Sequence, residues 1–385
     1  MTPGAEAPAI MLVAGEASGD AHGAVLCRAL AALAPGWRLF GMGGARMAEA
    51  GMDVVLDLTA HAAVGGSEAI GRVPMLYGAY RRLVGILGTP PRPRALVLID
   101  FPEFNLRLAR AARRAGVPVV YFIPPQIWAW RAGRIGAIAR RVTRVLAVFP
   151  FEVPLYRDAG VPVEFVGHPL VDSLAEAPSR AEARKRLELA EDALVLGLLP
   201  GSRGREIERL LPAMRDAAIE IARADPDVQF LLALAPTVDR GMVERRVAGG
   251  PRIGIVERDA HAVMAAADLL FAASGTATLE AALLGTPMII CYRVSHFSYR
   301  LFLLLVRVSW IGLPNLALGR GAVPELYQEN VTGPRLAREA LRLLADPAAL
   351  AAQRAAFAEL QGRFGPPGVG IRAGRSVLRV AGAAP

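Results

Sequence analysis

The stretch "LLPGSRGREIERLLP" (198–212) is an apolar run that breaks into Pro-Gly-Ser-Arg and then takes up a helical pattern. Gly201, Ser202 and the bare start of a helix offer backbone N–H groups, and Arg203 offers a planar cation with parallel donors, a combination suited to holding an anion. It is not a Walker loop, because the G-x-x-x-x-G-K-[ST] spacing is absent and no lysine stands in it. "FAASGTATLEAALLGTPMII" (271–290) repeats the theme, with Ser274, Gly275 and Thr276 leading into a helix that carries Glu280. Its hydroxyls would serve equally as helix caps. Two such loops in one domain are what a diphosphate requires.

A different chemistry is written in "LVLIDFPEFN" (96–105). Asp100 ends an apolar strand, where a carboxylate is placed to take a proton from an attacking hydroxyl, an effect worth about 10²–10⁴-fold. The competing role is a cap on the helix "FNLRLARAARRAG"; Asn105, already inside the helical pattern, suits that role less well. In "AGEASGDAHGA" (14–24), Glu16 also follows a strand, while Ser18 or Asp20 would cap the next helix. "GMGGARM" (41–47) approaches the dinucleotide fingerprint but places Arg46 where the third glycine belongs, so it reads as a plain turn. "IPPQIWAWRAGRI" (123–135) sets Gln126, Trp128 and Trp130 beside two arginines, as a grip on a sugar or acyl group or as ordinary buried aromatics. "DPD" (225–227) lies between a helix and a strand and reads as a turn. His22, His61, His168, His261 and His296 lack metal-ligand spacing, so no metal and no cofactor are expected. His168, in "VGHPL", reads either as a residue near the cleft or as one that stiffens a crossover, the second being favoured.

These positions need a scaffold that presents strand ends. Strand-like runs at 9–15, 37–43, 94–102, 118–125, 144–150 and 163–169 alternate with helical stretches, the first helix expected over 21–33. A second series follows at 194–202, 228–236, 252–257, 268–274 and 288–294. This rhythm predicts α/β architecture with two Rossmann-like domains facing a cleft, a tail of terminal helices, and ligands beyond the carboxyl ends of the strands. The boundaries expected are 1–171, 172–345 and 346–385, with the polar stretch 172–192 as the link.

The chain has 385 residues, 54% of them hydrophobic, enough for two cores. Its 44 Lys+Arg against 35 Asp+Glu give a net charge of +9, which favours an anionic partner. Nucleic acid is disfavoured, since aromatics are only 6% and no RNA-binding or finger motif is present. Cys27 and Cys291 stand far apart, consistent with a reducing compartment. The N-terminus shows neither the charged nor the long apolar region of a signal peptide. The most apolar stretch, 300–319, is interrupted by Arg307 and Pro314, so no membrane span is expected.

"AGEASGD", "IDFPEFN", "PPQIWAWRAGR", "FEVPLYRDAGVPVEFVGHPLVD", "LPGSRGREI", "SGTATLEAALLGTPM" and "LPNLALGR" occur together and in order. The set resembles the lipid-A-disaccharide synthase family, over residues of about 9 to 345. The resemblance implies an inverting glycosyltransferase of GT-B-like fold, its C-terminal helices crossing back to the first domain, needing no metal, peripheral on the cytoplasmic face of the Gram-negative inner membrane. It would join UDP-2,3-diacylglucosamine to 2,3-diacylglucosamine 1-phosphate through a β-1,6 bond and release UDP. By motif position, the resemblance makes Asp100 the base and Arg203 the diphosphate-binding arginine, among Gly201, Ser202, Ser274, Gly275 and Thr276. Glu280 falls at the ribose, and Glu16, Ser18, Asn105, Gln126, Trp128 and Asn315 belong to the site. Pro124, where a small hydroxyl or thiol residue is expected, and Gly312, where Ser is expected, depart from the pattern. The rivals are a glycosyltransferase with another lipid-linked acceptor, such as the peptidoglycan precursor, a non-hydrolysing UDP-GlcNAc 2-epimerase, and a non-enzymatic nucleotide-sugar binder.

Acylated substrates call for an apolar surface. In 64–87, Val73, Leu76, Tyr80, Leu83, Val84 and Leu87 fall near helical spacing with Arg72, Arg81 and Arg82 among them, and 298–310 has a similar mixture. Such stripes suit anionic lipid surfaces, although an apolar helical stripe is also the ordinary mark of a core. Val73, Leu76, Tyr80 and Leu83 are expected to face the membrane.

Overall fold

The computed structural model describes residues 7–58, 69–125, 134–294 and 310–383. It divides into two compact units, one running to Ser173 and resuming at Phe364, the other spanning Leu174–Arg363.

The first unit is built on β1 (Ala9–Ala14), β2 (Arg38–Met42), β3 (Asp53–Leu56), β4 (Ala95–Ile99), β5 (Val119–Phe122), β6 (Arg144–Ala147) and β7 (Val163–Phe165). They form one parallel sheet in the order β3-β2-β1-β4-β5-β6-β7. β1 lies between β2 and β4, with Ile10–Ala14 paired residue by residue to Ala95–Ile99. All ten of those side chains are fully buried, as expected of central strands covered by helices on both faces. The chain leaves β1 towards β2 on one side and returns to β4 on the other, so the order reverses between β1 and β4. Their carboxyl ends therefore open a ligand crevice, and the loops there begin at Gly15 and Asp100.

The second unit repeats the plan with β8 (Val195–Leu199), β9 (Gln229–Leu234), β10 (Ile253–Glu257), β11 (Leu269–Ala273), β12 (Met288–Tyr292) and β13 (Glu325–Tyr327). The order is β10-β9-β8-β11-β12-β13, and the reversal falls between β8 and β11. The loops at that point are Gly201–Arg203 and Ser274–Gly275.

The linking stretch contains the helix Arg180–Arg186, opened by a Ser179–Glu182 capping box. Buried Arg184 ties it to the second unit through the carbonyl of Ala266 and the carboxylate of Asp268. The terminal segment 346–385 divides: the helix Pro347–Phe364 belongs to the second unit up to Arg363, and Val369–Val380 packs in the first. Gly370 lets that last helix approach Ala17–Leu33, since a Cβ there would stand 2.9 Å from the Val25 carbonyl oxygen. The returning chain is fastened by Asp172, which accepts the N–H groups of Gly368 and Gly370, and by His168, stacked 5.1 Å from Phe364. Burial and the neighbouring His22 hold His168 neutral, its pKa well below the usual range. His168 thus takes the crossover role expected of it.

Candidate functional site

The first unit gathers its chemistry at the β1 and β4 ends. Glu16 is the N-cap residue of the helix Ala17–Leu33, so the helix starts earlier than 21, and Ser18 and Asp20 lie inside it rather than capping it. Asp20 instead accepts the N–H groups of Gly44, Arg46 and Met47 at 2.8–3.1 Å. The amides of the "GMGGARM" turn that a phosphate would need are already held by this buried carboxylate.

Asp100 and Phe101 have φ of +48° and +47°, two successive non-glycine residues in the left-handed region. Each costs on the order of 1–3 kcal/mol, and such strain persists only where the surroundings enforce it. The enforcement is visible. Asn105, fully buried one turn into the helix Pro102–Arg114, donates through Nδ2 to the carbonyls of Ile99 (3.2 Å) and Asp100 (2.7 Å). From β5, the buried Tyr121 hydroxyl donates to the Asp100 carbonyl at 2.9 Å. The Phe101 ring, stacked on Phe104, presses on Gly15 so closely that a Cβ there would lie 2.3 Å away. Asp100 does not cap the helix; the N-cap is Phe101, and no side chain caps it. Burial, and then the charge of Glu16, push the Asp100 carboxyl up to about 6, with Glu103 adding a smaller push and the Phe101 amide opposing. Glu103 itself pairs with Arg134. The result is a carboxylate at a strand end whose affinity for a proton suits a general base near neutrality.

In the second unit, Gly201 has φ +113°, and the loop turns on it into the helix Gly204–Ala224. Thr237 Oγ1 donates to the Ser202 carbonyl at 2.6 Å and fixes the far side of the loop. The N–H groups of Ser202 and Arg203 point to Glu206 Oε2 at 3.0 and 3.3 Å, and Arg203 Nη1 lies 3.3 Å from Oε1. The Arg203 side chain is 56% exposed. Across the switch point, the Ser274 N–H bonds the Cys291 carbonyl at 3.0 Å, and Gly275, at φ 157° and ψ −166°, adopts a backbone favoured by glycine. Thr276 opens the helix Thr276–Leu283, where Thr278 Oγ1 donates to the Gly275 carbonyl at 2.7 Å. Glu280, half-buried in that helix, stands 3.5 Å from His261 Nε2. The fold thus brings both anion-suited loops of the sequence to one crevice, and Glu16, Asp100 and Asn105 to the corresponding place in the other unit. Gln126 and Trp128 lie outside the described residues.

Comparison with known proteins decides the family. The lipid-A-disaccharide synthetase family matches residues 10–361. A lipid-A-disaccharide synthase of Geobacter sulfurreducens is 42% identical over 97% of both chains, and one of Myxococcus xanthus is 41% identical over 97% of both. The chain belongs to the lipid-A-disaccharide synthase family. It is accordingly a hexosyltransferase of lipid A biosynthesis. Solved structures share the double-sheet fold at low identity: S. aureus MnaA with UDP (TM-score 0.68, 11% identity, 98% of both chains) and Acinetobacter baumannii MurG (0.59, 14%, covering 97% of this chain and 99% of that one).

Family membership sharpens the remaining positions. Asn315 is fully buried in the helix Leu313–Leu318. Its Nδ2 donates to the Val323 carbonyl and Glu325 Oε1, and its Oδ1 accepts the N–H groups of Ala322 and Val323. That uses both donors and both acceptor positions of the amide, so Asn315 shapes the site's loop and has no capacity left for a ligand. Glu325 carries the other half of the brace, accepting the N–H groups of Ile311 and Gly312. The Gly312 departure is now explained, because a Cβ there would lie 2.4 Å from Ile290 Cδ1 and 2.8 Å from Glu325 Oε1. Pro124 is buried beside Pro125, whose carbonyl accepts from Tyr156 at 3.2 Å.

The membrane-facing set requires correction. In the helix Ala69–Gly88, Leu83 is fully buried, and Leu76 and Tyr80 pack against the same core, Tyr80 edge-on to Phe104. The exposed apolar residues of this helix are Val73 and Tyr77, each 61% exposed, two turns and one turn before exposed Arg81 and Arg82. No described helix is long and apolar enough to cross a membrane.

Proposed function

We propose that the enzyme transfers 2,3-diacylglucosamine from UDP-2,3-diacylglucosamine to the 6-hydroxyl of 2,3-diacylglucosamine 1-phosphate, forming a β-1,6 bond and releasing UDP, with inversion at the anomeric carbon. Asp100 takes the hydroxyl proton as the acceptor oxygen attacks C1. The bond from C1 to the phosphate oxygen breaks with its electron pair, and the charge passes to UDP. Arg203 and the N–H groups of the 201–203 and 274–276 loops hold that growing charge, where fixed donors act most strongly. Glu280 binds the ribose.

The observation that carries this reading is Asp100 itself, held in a left-handed turn by Asn105 and Tyr121 with its pKa raised to about 6. The acyl chains fit an enzyme that works at the cytoplasmic face of the inner membrane, against anionic lipid, through Val73, Tyr77, Arg81 and Arg82. Mass spectrometry of a detergent reaction with both sugars and EDTA, run beside Asp100→Ala, tests it. A disaccharide phosphate from the wild type alone is the expected result. No disaccharide from a folded, UDP-binding protein would refute the acceptor, and equal product from the variant would refute the base.

A further inference from the structure

Within the donor site proposed above, the 201–203 loop already holds a carboxylate of the protein itself. Glu206 Oε2 takes the N–H groups of Ser202 and Arg203, and Oε1 faces the Arg203 guanidinium. A glutamate three residues into a helix ordinarily caps the single N–H of the N-cap residue, here Arg203. This one also reaches the preceding amide and the arginine head. Gly201 is moulded around it, since a Cβ there would stand 2.5 Å from Oε2. Thr237 holds the opposite side of the loop through the Ser202 carbonyl. Glu206 keeps 34% side-chain exposure and leaves without opening the core.

We infer that Glu206 is an internal anion that a ligand phosphate must displace from the Ser202 and Arg203 donors, and that it sets the affinity threshold of the cradle. Two anions at one set of donors repel each other and split its hydrogen bonds, so Glu206 and pyrophosphate compete for the cradle. The apparent affinity of any ligand is lowered by the fraction of molecules in which the cradle is filled. A nucleoside diphosphate brings further contacts through its base and ribose and overcomes that competition. A bare phosphate or pyrophosphate brings none. Glu206 thus sets a threshold that a nucleoside-linked diphosphate clears through its other contacts and a bare phosphate at the same concentration does not.

The inference rests on the donor-site reading, and calorimetry separates the two. UDP and inorganic pyrophosphate are titrated into the wild type, Glu206→Gln and Arg203→Ala. Glutamine retains the reach and capping oxygen of glutamate without its charge, so the fold is kept, and a thermal melt verifies that. UDP is expected to bind Glu206→Gln more tightly than the wild type, on the order of tenfold. Pyrophosphate should gain from Glu206→Gln by a similar factor, from a weaker starting affinity. Unchanged or weaker UDP binding by a folded Glu206→Gln overturns the inference and leaves Glu206 a helix cap. Wild-type UDP binding that Arg203→Ala leaves intact overturns the donor-site reading instead.

Discussion

The Tyr121 hydroxyl and the Asn105 side-chain amide converge on one atom, the Asp100 carbonyl oxygen, at 2.9 and 2.7 Å. That oxygen belongs to the peptide between the two left-handed residues, so the pair fixes the plane from which the Asp100 carboxyl is aimed. Tyr121→Phe removes one of the two bonds and keeps the shape of a fully buried ring. The expected outcome is a kcat lower by about tenfold with KM nearly unchanged, because a misaimed base costs rate rather than binding. Steady-state kinetics beside a thermal melt check it. Unchanged kcat in the folded variant would remove Tyr121 from the positioning of the base.

With Asp100 as the proposed base, the acid side of the pH dependence should follow its carboxyl. A base with a pKa of about 6 is protonated below that value, so kcat/KM should fall as pH drops through about 6. The charge of Glu16 contributes to the elevation, so Glu16→Gln should move the limb to lower pH. A pH–rate profile of both proteins decides; an unmoved limb would contradict the coupling.

The same shift bears on stability with a definite sign. The folded carboxyl, at about 6, holds its proton more tightly than the ordinary value of 3.8. Its contribution is therefore fully present below 3.8 and is lost as pH rises through about 6, to the extent of about 3 kcal/mol. Asp100→Asn should melt higher than the wild type at pH 8 and at a similar temperature near pH 4. A variant that melts lower at pH 8 would show that the carboxylate is not a strained group.

Much of this was legible in the sequence, and the rest was hidden for physical reasons. The long apolar strands and the loops after β1, β4, β8 and β11 announced themselves, because central parallel strands must be apolar and their carboxyl ends then carry the polar exceptions. β3 and β13 escaped, being short edge strands of four and three residues, only partly apolar. Asn315 and Asn105 were recognisable as special, yet a motif does not say whether an amide faces a ligand or braces a turn. Tyr121 and Glu206 carried local signals, one polar group inside a buried strand and one glutamate three residues into a helix, whose meaning depended on what lay across from them. Periodicity marks Leu76, Tyr80 and Leu83 as one face of a helix without saying which way it points, and the structure turns that face to the core.

Asn315 separates bracing from binding. Asn315→Ala leaves the N–H groups of Ala322 and Val323 and the carboxylate of Glu325 short of a partner, so a loss of about 2–4 kcal/mol is expected. Calorimetric affinity for UDP, measured below the melting transition, should be nearly preserved. A variant of normal stability that has lost UDP binding would place Asn315 against the ligand after all.

The helix Ala69–Gly88 makes the last prediction, about the lipid surface. Exposed Val73 and Tyr77 stand beside exposed Arg81 and Arg82, a pairing of apolar and basic side chains that suits an anionic interface. Each arginine near such a surface is worth about 1 kcal/mol, and the apolar pair adds insertion that salt does not screen. Flotation with anionic vesicles at low salt should recover the wild type, and Val73→Ser with Tyr77→Ser should leave it in the pellet fraction. Arg81→Glu with Arg82→Glu should abolish binding at low salt as well. Leu83→Ser should act differently, lowering the melting temperature, because its side chain lies in the core. If the Val73–Tyr77 pair and the arginine pair both float like the wild type, this face of the helix is not what meets the lipid.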